Sequence, residues 1–99
     1  MAGKDTLRLL TWNVRGLGTY KKRYRVLTYL KQHNIQVACL QETHLTDSEV
    51  TKITKKWSGQ VYAATYSSYA RGTLIWVAPG VTFRMTYVEA DVEGRYVVL

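Results

Sequence analysis

A chain of 99 residues has room for one small domain at most. Its 46% hydrophobic content excludes a disordered polar chain. The 14 Lys+Arg against 7 Asp+Glu, formally +7, favour polyanionic partners, nucleic acid or acidic membrane, over acidic ones. A merely solvated basic surface would give the same count. The single cysteine, Cys39, rules out an intramolecular disulfide and fits a reducing compartment. Set in an apolar run, it is expected to be a small buried hydrophobe. The N-terminus has no long apolar stretch of the signal-peptide kind. No run approaches the roughly 20 apolar residues of a membrane span. The expected setting is therefore intracellular, with no membrane partner.

Residues 1–6 are small and polar and are expected to form a flexible tail. Residues 7–13 form the first predicted strand. Leu7, Leu9, Leu10 and Trp12 place apolar side chains on both faces, as in a central strand covered on two sides. Gly16 and Gly18 mark a break. A helix is predicted from Tyr20 to about Gln32, with Tyr20, Tyr24, Val26, Leu27 and Leu30 on one side as a stripe to cover a sheet. Lys21, Lys22, Arg23 and Arg25 crowd its first turns, against the helix dipole, so they either face an anion or are tolerated. Asn34 suits a left-handed helix terminus. Residues 35–40 form a second strand apolar on both faces. Strand, helix and strand make a βαβ unit with parallel strands, neighbours or not. Thr46 and Glu49 have the spacing of a capping box, and Val50, Ile53 and Trp57 follow at helical spacing, ending near Gly59. Residues 60–66, 72–78, 82–89 and 95–99 then have the Val, Thr, Tyr and Ile content of strands, with turns at Pro79-Gly80 and at residues 91–94. These four are expected to be antiparallel. The last runs to Leu99 on apolar residues, which is how a domain cut short would end.

The two parallel strands bring Asn13 and Glu42 to one sheet edge, beyond which open α/β sheets bind ligands. A carboxylate there is a natural donor to Mg²⁺ or Mn²⁺, which prefer hard oxygen ligands. Asn13 supplies an amide for a phosphate oxygen or a metal ligand. Arg15 and the basic helix lie beside them. One edge would then carry what a metal-assisted phosphodiesterase needs. Each residue also has a plainer reading. Glu42 alone is a strand-end carboxylate, Asn13 a turn former, and His44, without partners at ligand spacing, structural. Arg71 is a loop residue or a phosphate contact.

Taken in order, these stretches resemble a known family. TWNVRGL at 11–17 resembles the opening motif of the endonuclease/exonuclease/phosphatase superfamily, and LQETHL at 40–45 its second. RGTLIW at 71–76 resembles the Gly-led third strand, and EGRY at 93–96 the next hairpin. The series is most similar to the endonuclease domain of LINE-type (non-LTR) retrotransposons, over nearly the whole chain. The resemblance implies the N-terminal half of a four-layer α/β sandwich spanning residues 7–99, and Mg²⁺-dependent cleavage of a phosphodiester by activated water. It places Glu42 as the metal-binding glutamate and Asn13 as the asparagine that orders metal and phosphate. The later motifs of the family, a Tyr-bearing strand, Asp-x-Asn and Ser-Asp-His, have no counterpart here, and neither His33 nor His44 stands where the last would.

The resemblance therefore implies a fragment of a DNA-nicking endonuclease, nuclear in its working setting and inactive alone. Arg15, Lys21, Lys22, Arg23 and Arg71 are the residues expected to hold the DNA backbone. Half of a sandwich leaves one sheet face uncovered, and an apolar face of that size favours self-association. Two other readings stay open: a non-catalytic basic module that binds nucleic acid or a partner, and a phosphatase of the same superfamily.

Overall fold

The computed structural model describes residues 7–83 and 88–98. The expected tail at 1–6, part of the expected strand at 82–89, and Leu99 lie outside them. Eight elements follow in chain order: β1 (Leu9–Asn13), α1 (Tyr20–Gln32), β2 (Val37–Gln41), α2 (Asp47–Lys56), β3 (Gln60–Ala64), β4 (Thr73–Val77), β5 (Glu89–Ala90) and β6 (Val97–Val98). The fold is mixed α/β, as expected of a partial α/β sandwich.

The first four full-length strands make one sheet in the order β1-β2-β4-β3. β1 and β2 are parallel and immediate neighbours, with Trp12 opposite Leu40 and Asn13 opposite Gln41. β4 lies antiparallel between β2 and β3, with Ala38 opposite Trp76 and Trp76 opposite Val61. The alternation of side chains puts Leu10, Trp12, Ala38, Leu40, Leu74 and Trp76 on one face. That face meets the helices: Val26, Leu30, Ile53 and Trp57 join Ala38, Leu40, Leu74 and Trp76 in a single buried core. Trp76 is anchored further by its indole Nε1, which donates to the carbonyl of Ser58 at 2.8 Å.

Local signals set the helix ends. Thr19 caps α1 through its side chain, which accepts from the backbone of Lys22. Asn34 follows the helix in a left-handed conformation, φ 54°, as its residue type favours. Thr46 and Glu49 form the complete capping box of α2.

Several expectations are corrected. β1 is an edge strand among the described residues, and neither it nor β2 is covered on both faces. The face opposite the helices carries Leu9, exposed at 64%, and Cys39, which is exposed rather than buried. The run around Cys39 is apolar because its neighbours Ala38 and Leu40 face the core, and Cys39 alternates away from them. The stripe on α1 is narrower than predicted. Val26 and Leu30 are buried, and Tyr29 packs beside Trp12 at 5.0 Å between ring centroids, whereas Tyr20 and Tyr24 project outward. Among the described residues of the late strands, Thr82, Phe83, Val88, Arg95 and Tyr96 are not strand, and Glu89–Ala90 pairs, antiparallel, with Val97–Val98 in a separate two-stranded sheet. That hairpin rests on the otherwise open face, with Tyr96 and Val97 beside Cys39, Gln41, Thr73 and Ile75 across a small cleft.

Candidate active site

Three loops meet at the edge where β1 and β2 end. They are joined by backbone bonds that continue the sheet past its last residues. Val14 donates to Gln41, Gly16 to Glu42 at 2.7 Å, and Leu17 to Thr43 at 2.8 Å. On the other side Thr43 donates to Gly72 at 3.1 Å and His44 to Arg71 at 2.9 Å. Val14, Leu17, Thr43 and Leu45 are buried and pin the loops from below. Asn13, Arg15 and Glu42 are left exposed on top.

The backbone at this edge is unusual. Arg15, Glu42, His44 and Arg71 all have positive φ, between 51° and 63°, although none is glycine. Each such residue costs of order 1–3 kcal/mol and persists only where its surroundings over-determine it. Here the determinants are the loop-to-loop bonds. Gly72, at φ 98°, passes so close to Thr43 that a Cβ would collide with its Oγ1, which explains why glycine leads β4.

Asn13 Oδ1 accepts from the backbone of Arg15 at 3.2 Å, a turn that fixes the amide at the edge. Its register partner Gln41 directly precedes Glu42. Glu42 Oε1 lies 3.3 Å from His44 Nε2. The left-handed conformations at Glu42 and His44 turn these side chains toward one another across the buried Thr43. Sequence reasoning passed over His44. The signal, a histidine two residues after the glutamate, becomes legible only with the backbone turn. In a regular strand the same spacing would set the pair on one face but farther along it.

The other predicted residues divide. Lys21 is exposed and Lys22 half-buried on the first turn of α1, whose opening turn holds no acidic residue. Arg23 donates from Nε to the carbonyl of Thr19 and from Nη2 to that of Gly18, so it braces the loop after β1. Arg71 pairs with Glu93 at 3.1 Å and lies 4.4 Å over the ring of Tyr66, tying this edge to the hairpin. The resolved electrostatic shifts fall in that hairpin. The Asp91 carboxyl is held below its ordinary range by its bond to the Arg95 guanidinium at 2.7 Å. Tyr96 is pushed up by its hydrogen bond to the Glu89 carboxylate.

For a divalent cation, the edge offers the exposed carboxylate of Glu42 and the amide oxygen of Asn13. Among the described residues no group of three His, Cys, Asp or Glu side chains is placed to hold a metal. Mg²⁺ is commonly bound by one or two carboxylates, with waters and substrate phosphates completing the shell, so this donor set fits as part of a site.

Compared with known proteins, residues 10–96 match the profile of the Endonuclease/Exonuclease/phosphatase family. The chain belongs to that family. It is also 29% identical over 96 residues to an exodeoxyribonuclease of Bacillus subtilis (strain 168), covering 94% of this chain and 38% of that relative. The chain thus spans well under half of the relative's length, and the family match includes both Asn13 and Glu42. No helix among the described residues is long and apolar enough to cross a membrane.

Proposed function

We propose that this chain supplies one wall of a metal-dependent, DNA-nicking phosphodiesterase site of the LINE-type retrotransposon class. The observation that carries the reading is Glu42: an exposed carboxylate, held on a left-handed turn by bonds from two neighbouring loops, next to Asn13 at the strand-end edge. Folding alone gives no reason to hold a charged residue in that conformation. Family membership and the exodeoxyribonuclease relative support nuclease chemistry, and the charge of +7 supports a polyanionic substrate.

In this reading Glu42 is the cation's carboxylate ligand and Asn13 orients the cation and the scissile phosphate. His44, bonded to Glu42, holds that carboxylate in place. A bound Mg²⁺ or Mn²⁺ would polarise a phosphoryl oxygen as a Lewis acid. Arg15, Lys21 and Lys22 line up along the backbone of the DNA. Asn13, Glu42 and His44 hold and orient, and none of them is placed as a general base with its own phosphate-stabilising partner. The 99 residues are therefore expected to be inactive alone.

The test is a plasmid-nicking assay with Mg²⁺ on the chain alone and on the chain joined to its downstream reading frame. The longer protein should nick and the short one should not. Mutating even the outer partners of metal ligands typically costs 10–100-fold, so Glu42→Ala should remove at least about 100-fold of the activity. Nicking by the short chain, or by the longer Glu42→Ala protein, would refute the assignment. A longer protein that releases phosphate from small monoesters but leaves DNA intact would favour the phosphatase branch instead.

A further inference from the structure

The reaction above uses one edge of the sheet with Lys21 and Lys22 beside it, and leaves the groove between the two helices without a role. Between α1 and α2 lies a cleft of about 300 Å³. Ile53 and Trp57 form its buried floor. Arg23, Lys52 and Lys56 line it, and no carboxylate does. None of these three cations forms an ion pair among the described residues. Lys52 and Lys56 stand four residues apart on α2, a spacing at which like charges repel and weaken a helix. Tyr20 and Tyr24 also line the cleft, stacked with centroids 6.4 Å apart and 72% and 61% exposed. So two large rings stay in water while three uncompensated cations gather beside them. Arg23 also braces the loop after β1, but folding requires neither the exposed rings nor the two lysines at this place.

We propose that this cleft binds a segment of single-stranded nucleic acid, with a base on the Tyr20–Tyr24 stack and phosphates on Arg23, Lys52 and Lys56. Aromatic faces beside a cationic groove are the means by which single strands are held without sequence preference. A duplex keeps its base faces covered and cannot use the tyrosines. An acidic peptide would satisfy the cations but leave the ring pair without a purpose. The site uses none of the residues assigned to the metal edge and needs no metal. It deepens the nucleic-acid reading of Arg23, yet it stands or falls separately from cleavage.

The experiment is fluorescence anisotropy of a labelled oligothymidylate with the 99-residue chain in EDTA, across a salt series. Tyr20→Ala with Tyr24→Ala should weaken binding by about tenfold. Lys52→Gln with Lys56→Gln should weaken it similarly and reduce the slope of log K against log salt by about 0.7 per lysine removed. The charge-matched control, Lys31→Gln with Lys55→Gln, should stay within about twofold at fixed salt, because neither residue lines the cleft. Equal loss in both lysine pairs, or no loss in the tyrosine pair, would overturn the proposal. So would competition by polyglutamate as effective as by unlabelled oligothymidylate. An iodouracil-substituted oligonucleotide cross-linked to the unaltered chain provides a measurement independent of variant folding. Its adduct should map to Tyr20 or Tyr24, and adducts only elsewhere would sink the idea. Because the readout is metal-free, lost binding and lost nicking are distinct results.

Discussion

The two faces of the four-stranded sheet differ in what covers them. On one, Ala38, Leu40, Leu74 and Trp76 are at most 1% exposed beneath two helices. On the other, the register partners Leu9 and Val37, then Thr11 and Cys39, face out, Ala64 and Val77 are buried, and among the described residues only the short β5–β6 hairpin rests on part of it. The difference is one of partners as well as of strand character, since Thr11, Asn13, Gln41, Gln60 and Thr73 share the outward face. A face becomes core when an amphipathic element with its own apolar stripe is close in sequence to cover it, as α1 and α2 are. The open face has no such neighbour among the described residues, and it is the surface through which self-association of the chain is expected.

The comparison is broken most severely from the covered side. Trp76→Ala removes the largest fully buried side chain and leaves the Ser58 carbonyl without its donor. Large-to-small changes of this kind cost about 3–5 kcal/mol. In a domain this small that approaches the whole stability, so urea denaturation should find the variant largely unfolded. Next comes Gly72→Ala, at the junction of the sheet and the candidate active-site edge. Forcing a Cβ into a conformation with φ 98° costs about 1–3 kcal/mol before the collision with Thr43 is added. It should lower the denaturation midpoint. It should also disturb the NMR signals of Glu42 and His44, whose loop is bonded to Gly72 and Arg71.

These residues also show what was legible beforehand. The βαβ unit, both helices and the capping box follow from periodicity and cap chemistry, which act within a few residues of one another. The meeting of Asn13 and Glu42 at one edge follows from parallel strands alone. The pairing of β2 with β4 was not legible, because strand order depends on contacts some thirty residues apart that no local pattern encodes. Cys39 was misplaced for a related reason. An apolar run tells that a strand has an apolar face, and only the position of the helices decides which face is covered. His44 was passed over because positive φ at a non-glycine residue is imposed by neighbouring loops. Thr82, Phe83 and Val88 are not strand although their residue types favour it, because β propensity needs a partner strand and they have none among the described residues.

Smaller effects sharpen the contrast between ends that are fixed locally and surfaces that wait for a partner. Thr46→Ala removes the side-chain cap of α2 and leaves of its box only the backbone N–H of residue 46 donating to Glu49, at a cost of about 1 kcal/mol. A thermal melt should register it as a fall of several degrees, about 4–8 °C per kcal/mol in a domain of this size. The hairpin on the open face responds to acid. The Asp91 carboxyl is held down by Arg95, so its folded pKa lies below its unfolded value of 3.8. The sign follows: the pairing contributes fully above that value and is lost as pH falls through the lower, folded one. The hairpin resonances should therefore hold through pH 4 and shift only in stronger acid, and Asp91→Asn should abolish that late acid transition. Because the Arg95 end of the pair is exposed and screened by water, the change in overall stability should be slight.

The smallest expected energetic effect is the most direct test of the uncovered face. If Cys39 were core, Cys39→Ser would bury a hydroxyl at a cost of about 1–3 kcal/mol, and the native thiol would be shielded from reagents. An exposed Cys39 predicts a change within about 0.5 kcal/mol and rapid labelling by a small maleimide without denaturant. The same thiol reports on what covers the face. As protein concentration rises, labelling should slow if copies associate through Leu9, Cys39 and their neighbours. Leu9→Lys should restore the fast rate by placing a charge on that surface. A labelling rate that stays constant across concentration would mean that the open face remains in water and that hydrophobic area alone does not drive this chain together.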